Sequence, residues 1–427
     1  MMNTLCRAFL TFVFVIISAI SARSQPQWTL QQTPSTTNLT RIIFVDTLKG
    51  WTSGDSGTVI HTTNGGTNWT LQNTGIQLKI DDLFFLNSLT GWALSNDYIL
   101  GSYFFRTTNS GANWSYTRLT DSTHFYSSVF FNNANTGFLG GNEGRILKTT
   151  DAGSNWNLCQ VDSSLFYRFP IQRMNFFNDR IGTASGGAFD IQGVVWQTTN
   201  GGNNWVSHGL GGEPIAKVLY KDSMNIIGIG GDHEFGASKV ESTNEGATWT
   251  YTLLGIFGQG YAISMRNNND IFVPLGYAQA FAKSSDGGRN WNSTSTPDSS
   301  SIYDVTFKDD RNGWCCGTNG KVYKYNVVVG VNTLSSIVPE GFQLYQNYPN
   351  PFNPVTKIKF QVPAGSHLIK LSIYDMLGKN VRTLIDNKLS AGIYEAEFNA
   401  SELSSGIYYY TLNSDAFTET KKMILIK

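Results

Sequence analysis

The sequence has few cysteines and lacks the residue spacings that bind metal ions. Cys6 lies in the N-terminal segment, which leaves Cys159, Cys315 and Cys316. An odd number does not build a disulfide framework, and no Cys-x-x-Cys or Cys/His zinc spacing occurs. We therefore expect no metal site and no cofactor. Cys315 and Cys316 are interpreted as small strand residues, with a vicinal redox pair as the alternative.

Charged residues are also scarce, and neither sign prevails. They make up 15% of the chain, with 31 residues of each sign. Nucleic-acid-binding domains carry a basic excess, so this balance predicts no nucleic acid partner. The apolar run at 8–20 is too short for a membrane span. With Arg7 before it and Ala22-Arg23-Ser24 after it, the run predicts a signal peptide at 1–24 and no transmembrane segment in the mature chain.

Glycine, threonine, asparagine and aromatic residues are abundant, and they recur in a repeat. The turn TTNGGTNW at 62–69 returns at 107–114, 149–156, 198–205, 242–249 and 284–291. An apolar segment recurs seven times at intervals of 41 to 46 residues, around Phe44, Phe85, Phe131, Phe177, Tyr220, Met265 and Phe307. A period near this length, with about four short strands per unit, is typical of propeller blades.

The two ends of the repeat region complement each other. The last unit ends at 317–325 without its Trp-bearing strand, while WTLQQT at 28–33 matches WTLQNT at 69–74. Pairing of 28–33 beside 321–325 would complete the last unit and remove a free sheet edge. We therefore predict an all-β chain with a seven-bladed β-propeller over 25–326, closed by its N-terminal strand.

The repeated turn has the form [ST]-x-[ND]-x-G-x-x-W, which resembles the Asp-box or bacterial neuraminidase (BNR) repeat. Together with the Gly-Trp of the second strand, it is similar to the photosystem II assembly/stability factor family. The resemblance implies a propeller in which these turns are scaffold. It does not imply a function, because Asp-boxes occur in sialidases, other glycosidases and non-enzymatic propellers.

The last hundred residues differ in character. Residues 327–341 carry no repeat and predict a linker, and alternating strands over 342–427 predict a small Ig-like β-sandwich. NYPNPFNP, KLSIYDMLGKNV, LSAGIYEAEF, SSGIYYYTL and the terminal KKMILIK resemble a C-terminal type A sorting domain of type IX secretion. The resemblance implies the type IX machinery as a partner, a Bacteroidetes-like bacterium, and a secreted product that is released or held on the outer-membrane surface.

Candidate ligand contacts follow from propeller geometry. The hairpins between second and third strands share one face with the connections between blades, and ligands bind there. We predict long loops on this face at 96–103, 186–193 and 231–237. The candidate ligand-binding residues in the loops of this face are Tyr126, Tyr167, Arg168, Arg173, Asp232, His233 and Glu234. Tyr98, Tyr103, His124 and Phe189 are further aromatic candidates.

Two function classes remain open. YRFP at 167–170 resembles the segment whose Arg holds the substrate carboxylate in sialidases. The conceivable further parts are Arg118 and Arg173, together with Tyr126 or Tyr261 and with Glu213 or Glu234. Asp81-Asp82 and Asp309-Asp310 lie in the first strand of a repeat or in the turn that follows it, where other repeats also carry Asn or Asp. We therefore assign no catalytic residue. The sequence thus favours a non-catalytic module that binds a glycan or a protein. The alternative is a glycoside hydrolase, sialidase-like or of another Asp-box type.

Overall fold

The computed structural model describes residues 28–119, 123–162, 166, 168–325, 331–335, 338–400, 403–414 and 417–427. The predicted signal peptide and Tyr167 lie outside these residues. Contacts divide the chain into two compact units, whose described parts are 28–325 and 331–427. Both are built of β-strands, and the described residues contain no α-helix, only short 3-10 turns at Asp55–Gly57, Asn142–Gly144, Pro297–Ser299 and Thr318–Gly320.

The first unit holds seven sheets, and all but one are formed by strands that are close in sequence. The strands are β1 (Trp28–Gln31), β2 (Leu39–Phe44), β3 (Gly50–Gly54), β4 (Val59–Thr62), β5 (Thr70–Gln72), β6 (Ile80–Phe85), β7 (Gly91–Asp97), β8 (Gly101–Thr107), β9 (Ser115–Arg118), β10 (Tyr126–Phe131), β11 (Gly137–Gly141), β12 (Ile146–Thr149), β13 (Asn157–Leu158), β14 (Gln160–Val161), β15 (Ile171–Phe176), β16 (Gly182–Ala188), β17 (Gln192–Thr198), β18 (Asn204–Gly209), β19 (Ile215–Tyr220), β20 (Ile226–Asp232), β21 (Gly236–Ser242), β22 (Thr250–Leu253), β23 (Ser264–Met265), β24 (Ile271–Pro274), β25 (Ala280–Ser284), β26 (Asn292–Ser295), β27 (Ile302–Phe307), β28 (Gly313–Gly317) and β29 (Val322–Tyr325).

Most of these sheets are four-stranded antiparallel meanders, such as β2-β3-β4-β5. One sheet gains a fifth strand, because β14 pairs parallel with β18. The last sheet has the order β1-β29-β28-β27, and Trp28 lies opposite Tyr325. The first strand of the chain therefore completes the sheet formed by the last strands of this unit.

The repeated turn is held by its first and third residues. Thr62 Oγ1 accepts hydrogen bonds from the backbone N–H groups of Asn64 at 3.3 Å and Gly66 at 3.0 Å. Asn64 Oδ1 then accepts from the backbone of Asn68 at 2.9 Å. Gly66 has φ of +89°, a left-handed conformation that glycine adopts without strain. The same hydrogen bond, from a glycine N–H to a hydroxyl oxygen, recurs at Thr107, Thr149, Thr198, Ser242 and Ser284.

Two kinds of turn share one end of the sheets. The repeated turn, which we name the Trp turn, contains Gly65, whose backbone N–H donates to Leu48 O at 2.8 Å in the turn between the first and second strands. Equivalent hydrogen bonds join these two turns in five further sheets. The other end carries the hairpins between the second and third strands, together with the connections from sheet to sheet. A Cβ on Gly57 there would lie 2.1 Å from Ile76 O. The Trp turns and these hairpins therefore lie on opposite faces.

Adjacent sheets pack through aromatic rings. The Trp51 ring stacks on Phe85 of the next sheet with centroids 3.7 Å apart, and Trp314 of the last sheet stacks on Phe44 of the first at 3.5 Å. Trp314 Nε1 also donates to Gly65 O at 3.0 Å. The buried, unpaired Cys315 and Cys316 lie in the same strand as Trp314, as expected for small strand residues. Burial of these rings accounts for much of the apolar stabilisation.

The strand register corrects one motif position. Phe176 lies opposite Gly182, as Phe44 lies opposite Gly50, so Phe176 and not Phe177 is the repeated aromatic residue of its unit. Phe176 stacks on Phe138 with centroids 4.7 Å apart, whereas the Phe177 side chain is 44% exposed. Two adjacent phenylalanines made the sequence ambiguous, because side chains alternate between the two faces of a strand.

The second unit is one sheet folded around its own core. Its strands are β30 (Val331–Ser335), β31 (Gln343–Leu344), β32 (Val355–Tyr374), β33 (Asn380–Asn399), β34 (Gly406–Ser414) and β35 (Phe417–Leu425). The N-terminal half of β32 pairs with β31 and the C-terminal half with β34, while β33 follows both. Strand β30 pairs with β33, so part of the predicted linker belongs to this sheet.

Candidate functional site: a hairpin face and a central charge cluster

Three hairpins project from the face opposite the Trp turns. The predicted long loops are extended strand pairs that end in short turns at 98–100, 189–191 and 233–235. Asp232 ends β20, and its Oδ1 accepts hydrogen bonds from the backbone of Glu234 at 3.1 Å and Phe235 at 2.6 Å. This side-chain-to-backbone turn fixes the hairpin that carries His233 and Glu234.

Carboxylates from neighbouring hairpins meet on this face. Side-chain oxygens of Asp190, Asp232 and Glu234 lie within 4.8 Å of one another. Buried Glu213 lies beside them and accepts a hydrogen bond from Asp190 N at 3.4 Å. Burial raises the pKa of Glu213, and the charges of Asp232, Asp190 and Glu234 raise it further. Oxygen ligands suit hard cations such as Ca²⁺, and this acidic group offers three of them.

Exposed apolar side chains share the hairpin face with the acidic group. The Phe235 side chain is 56% exposed at the tip of its hairpin, and Phe257 and Tyr277 are 68% and 69% exposed nearby. The rings of both Phe257 and Tyr277 lie about 6 Å from His233. The apolar rim, as we name these side chains of the hairpin face, consists of Tyr98, Ile99, Leu100, Phe189, Ile191, Phe235, Phe257 and Tyr277. Large exposed apolar side chains gathered on one face mark interaction sites.

Two of the predicted ligand contacts lie elsewhere than expected. Tyr126 is 1% exposed within β10, and its ring packs in the core with Val129 and Leu139. Arg173 lies in β15 with a buried side chain, and its Nη1 is 2.6 Å from Asp82 Oδ1. The sequence alone did not show where each loop ends and the next strand begins. Tyr126 and Arg173 therefore fall within strands, at positions whose side chains point into the core. Arg168 is exposed, as a ligand contact requires.

Arg173 belongs to a group of charged residues that we name the central charge cluster: Arg41, Asp82, Arg173, Lys217 and Asp304. Asp82 Oδ1 also receives Arg41 Nε at 3.1 Å, and Arg173 Nη2 lies 3.8 Å from Asp304 Oδ2. Arg173 thus reaches carboxylates from two other sheets, so the cluster spans the middle of the unit. Burial and the charge of Arg41 lower the pKa of Arg173 to about 10, which leaves it cationic at neutral pH.

Sequence reasoning missed most of this cluster, although a signal existed. Arg41, Asp82, Lys217 and Asp304 each lie three residues before the repeated aromatic residue of their unit, directly after a register shift in the first strand. Arg173 has the same spacing from Phe176. Aligning the repeats on that position would have shown charged residues on the inner strands. The sequence alignment missed Arg173 because it used Phe177.

A family match identifies the first unit. Residues 20–326 match the family model described as "Photosynthesis system II assembly factor YCF48". The chain belongs to this family. Residues 346–427 match a "Secretion system C-terminal sorting domain", as the sequence resemblance implied. No curated protein matches the chain as a whole.

Solved structures agree on the fold. "YCF48 bound to D1 peptide" has a TM-score of 0.57 and 18% identity, covering 71% of this chain and 96% of that chain. YCF48 from Cyanidioschyzon merolae has a TM-score of 0.57 and 17% identity, with coverage of 70% and 98%. An ancestral GH74 enzyme has a TM-score of 0.52 and 12% identity, with coverage of 93% and 64%. At these identities the likeness shows the fold alone, an all-β propeller.

The sorting domain indicates type IX secretion to an extracellular or cell-surface location. In the parts of the chain that the structure describes, no helix has the length and apolar character needed to cross a membrane.

Proposed function

We propose that the chain is a secreted or cell-surface binding module, without catalytic activity, that holds a glycan or a protein on its hairpin face. In this proposal the first unit is a seven-bladed Asp-box propeller whose ring is closed by β1, and residues 342–427 form an Ig-like domain that directs export. A signal peptide at 1–24 and a Bacteroidetes-like source belong to the same proposal. The relative solved with a D1 peptide is a precedent for peptide binding by a propeller of this family.

The observation that carries the proposal is the apolar rim. Eight exposed apolar side chains lie at hairpin tips or in an adjoining connection, on the face that also carries the group of carboxylates. Aromatic residues such as Phe235 and Tyr277 supply a large contact area at low conformational cost, and they suit both sugar rings and peptide side chains. Exposed Arg168, His233 and Glu234 stay proposed polar contacts beside the rim.

Convergent carboxylates are the one feature that favours the alternative, a glycoside hydrolase. Burial raises the pKa of Glu213, which is the direction that a general acid requires, and Asp190, Asp232 and Glu234 lie close by. However, glycosidases separate their two carboxyl groups by about 5 to 9.5 Å to admit the sugar or a water. The oxygens here lie within 4.8 Å of one another, which suits one shared cation or cationic group better. Arg173, which could have supplied a further substrate-binding arginine, is already paired with aspartates.

The test compares the two faces of the purified chain. Binding to a panel of sialylated glycans, polysaccharides and surface proteins is measured for the wild type and for Phe235→Ser/Phe257→Ser. The matched control is Leu48→Ser/Leu89→Ser, because these leucines are similarly exposed at turns on the opposite face. We expect the hairpin-face variant alone to lose binding.

Two results would contradict the proposal. Binding that survives in the hairpin-face variant but is lost in the control would place the ligand on the Trp-turn face. Release of sugar products by the wild type, abolished in Glu213→Gln, would establish the glycoside hydrolase instead. Product masses followed over time distinguish this release from simple retention of a glycan.

A further inference from the structure

Two hairpins of neighbouring sheets bring their carboxylates together. The hairpin between β16 and β17 carries Asp190 at its tip, and the hairpin between β20 and β21 carries Asp232 and Glu234. Side-chain oxygens of these three residues lie within 4.8 Å of one another, so the two hairpins stand side by side. Buried Glu213 adds a fourth carboxylate, which accepts a hydrogen bond from Asp190 N at 3.4 Å.

These four carboxylates have no cationic partner in the described part of the chain. None of them forms an ion pair with a lysine, an arginine or a histidine there. Burial raises the pKa of Glu213, and the charges of its three carboxylate neighbours raise it further. Like charges at this distance repel one another, and a cation placed among them would relieve the repulsion. The group therefore favours an occupant of positive charge.

Large apolar side chains adjoin the carboxylates on the same two hairpins. Asp190 lies between Phe189 and Ile191, and Glu234 directly precedes Phe235. All three apolar side chains are half exposed or more. Apolar side chains of this size on a surface mark interaction sites, because contact with a partner removes them from water.

His233 connects the acidic group to two further exposed rings. Its ring centroid lies 6.2 Å from that of Phe257 and 6.0 Å from that of Tyr277. Phe257 lies in the connection from β22 to β23, and Tyr277 lies in the hairpin between β24 and β25. His233 is flanked in the chain by two of the carboxylates, so these rings stand beside the acidic group. We name this continuous area the tip surface: 189–191 and 233–235 with Phe257 and Tyr277.

The possible occupants differ in what they would cover. A metal ion would engage the carboxylates but leave the apolar side chains in water. A neutral sugar would cover rings but leave the repulsion among the carboxylates, and an acidic glycan would increase it. A protein segment with a cationic side chain among apolar ones matches both features. Arginine suits the place better than lysine, because its guanidinium donates to several carboxylate oxygens and stacks on aromatic rings.

We propose that the tip surface docks a protein segment that places an arginine side chain between Asp190 and Glu234 and flanking apolar side chains against Phe257 and Tyr277. The two exposed carboxylates accept hydrogen bonds from the guanidinium, while the apolar contacts exclude water. This inference rests on the proposed function, because it names the partner of the same face. It narrows that function, since the partner is a protein and not a glycan.

The test begins with a defined probe. A phage-displayed library of random peptides is selected on the purified full chain, and the peptide recovered most often is synthesised with a fluorescent label. Its Kd for the full chain is measured by fluorescence anisotropy. We expect the selected peptides to carry arginine beside aromatic or aliphatic residues. Replacing that arginine by citrulline, which has the same shape but no charge, should weaken binding about tenfold or more.

Two double variants of the chain then locate the contact. Asp190→Asn/Glu234→Gln removes two exposed charges with little change of shape. It should weaken binding of the arginine peptide about tenfold or more and leave binding of the citrulline peptide unchanged, which shows that the variant is folded. The matched control is Asp97→Asn/Glu143→Gln, which removes two charges from other sheets on the same face and should keep the wild-type affinity.

Several results would overturn the proposal. They are the absence of any selected peptide that binds, a lack of arginine in the selected peptides, equal affinity for the citrulline peptide, and an equal loss in the control variant. Displacement of the arginine peptide by calcium chloride that saturates the wild type would identify a metal site instead. A glycan that binds the wild type but not Phe235→Ser/Phe257→Ser, with no peptide binding, would overturn this partner and leave the proposed function standing.

Discussion

Replacing Arg173 by methionine tests whether the central charge cluster holds the sheets together. Methionine keeps much of the side-chain volume but removes the charge that lies 2.6 Å from Asp82 and 3.8 Å from Asp304. Both carboxylates are buried, so the variant leaves negative charge inside the unit with fewer partners. We expect a large loss of folding stability.

The magnitude follows from that burial. Removing one partner of a buried ion pair costs about 3 to 5 kcal/mol, because the remaining charge stays desolvated. Asp82 keeps Arg41 at 3.1 Å, and both aspartates keep backbone N–H donors. These remaining contacts favour the lower end, about 3 kcal/mol.

Urea unfolding followed by tryptophan fluorescence measures the free energy of unfolding of the first unit. All 11 tryptophans precede residue 315, so their emission reports the propeller and not the sorting domain. The control is Arg311→Met, an exposed arginine in a turn, for which we expect a change within about 0.5 kcal/mol.

A double variant decides the cause. Arg173→Met/Asp82→Asn should lose less stability than the sum of the two single variants, because one of the stranded charges is removed as well. A loss below about 1 kcal/mol in Arg173→Met, or strict additivity in the double variant, would refute the reasoning that the pair is a coupled, desolvated unit.

Three further predictions use the same unfolding assay. Thr62→Val should cost about 1 to 3 kcal/mol by stranding the N–H of Gly66, against about 0.5 kcal/mol or less for the exposed Thr70→Val, and equal losses would contradict the turn geometry. Trp28→Ala should cost about 3 to 5 kcal/mol because the ring packs against four other rings; a small loss would argue against closure by β1. Burial raises the pKa of Glu213 above 4.5, so its stabilising contribution is full below pH 4.5 and is lost as pH rises through the raised value. Glu213→Gln should therefore gain stability relative to the wild type toward neutral pH, and a constant difference across pH would disprove it.

The sequence predicted the propeller through features that act locally. Each Trp turn contains its own hydroxyl, amide and glycine, so its geometry is set within eight residues and repeats wherever the motif occurs. The sorting domain was identified for a similar reason, because several short segments carry its pattern in the same order along the chain. Positions of hairpins on one face followed from the alternation of antiparallel strands.

Other features depend on which strands become neighbours. Asp190 and Glu213 approach Asp232 only because separate sheets stand side by side, and no spacing in the sequence encodes that meeting. The sequence predicted Tyr126 to lie in a loop, whereas in the structure it lies in β10 with its ring in the core.

What the sequence by itself determined is the repeat, the all-β class and the sorting domain, since these rest on local turn chemistry and strand periodicity. Only the tertiary structure decided which charges meet. Arg173 pairs with aspartates 91 residues earlier and 131 later in the chain. Charge pairing depends on distance and on exclusion of water, and both are set by how the sheets pack around a common centre.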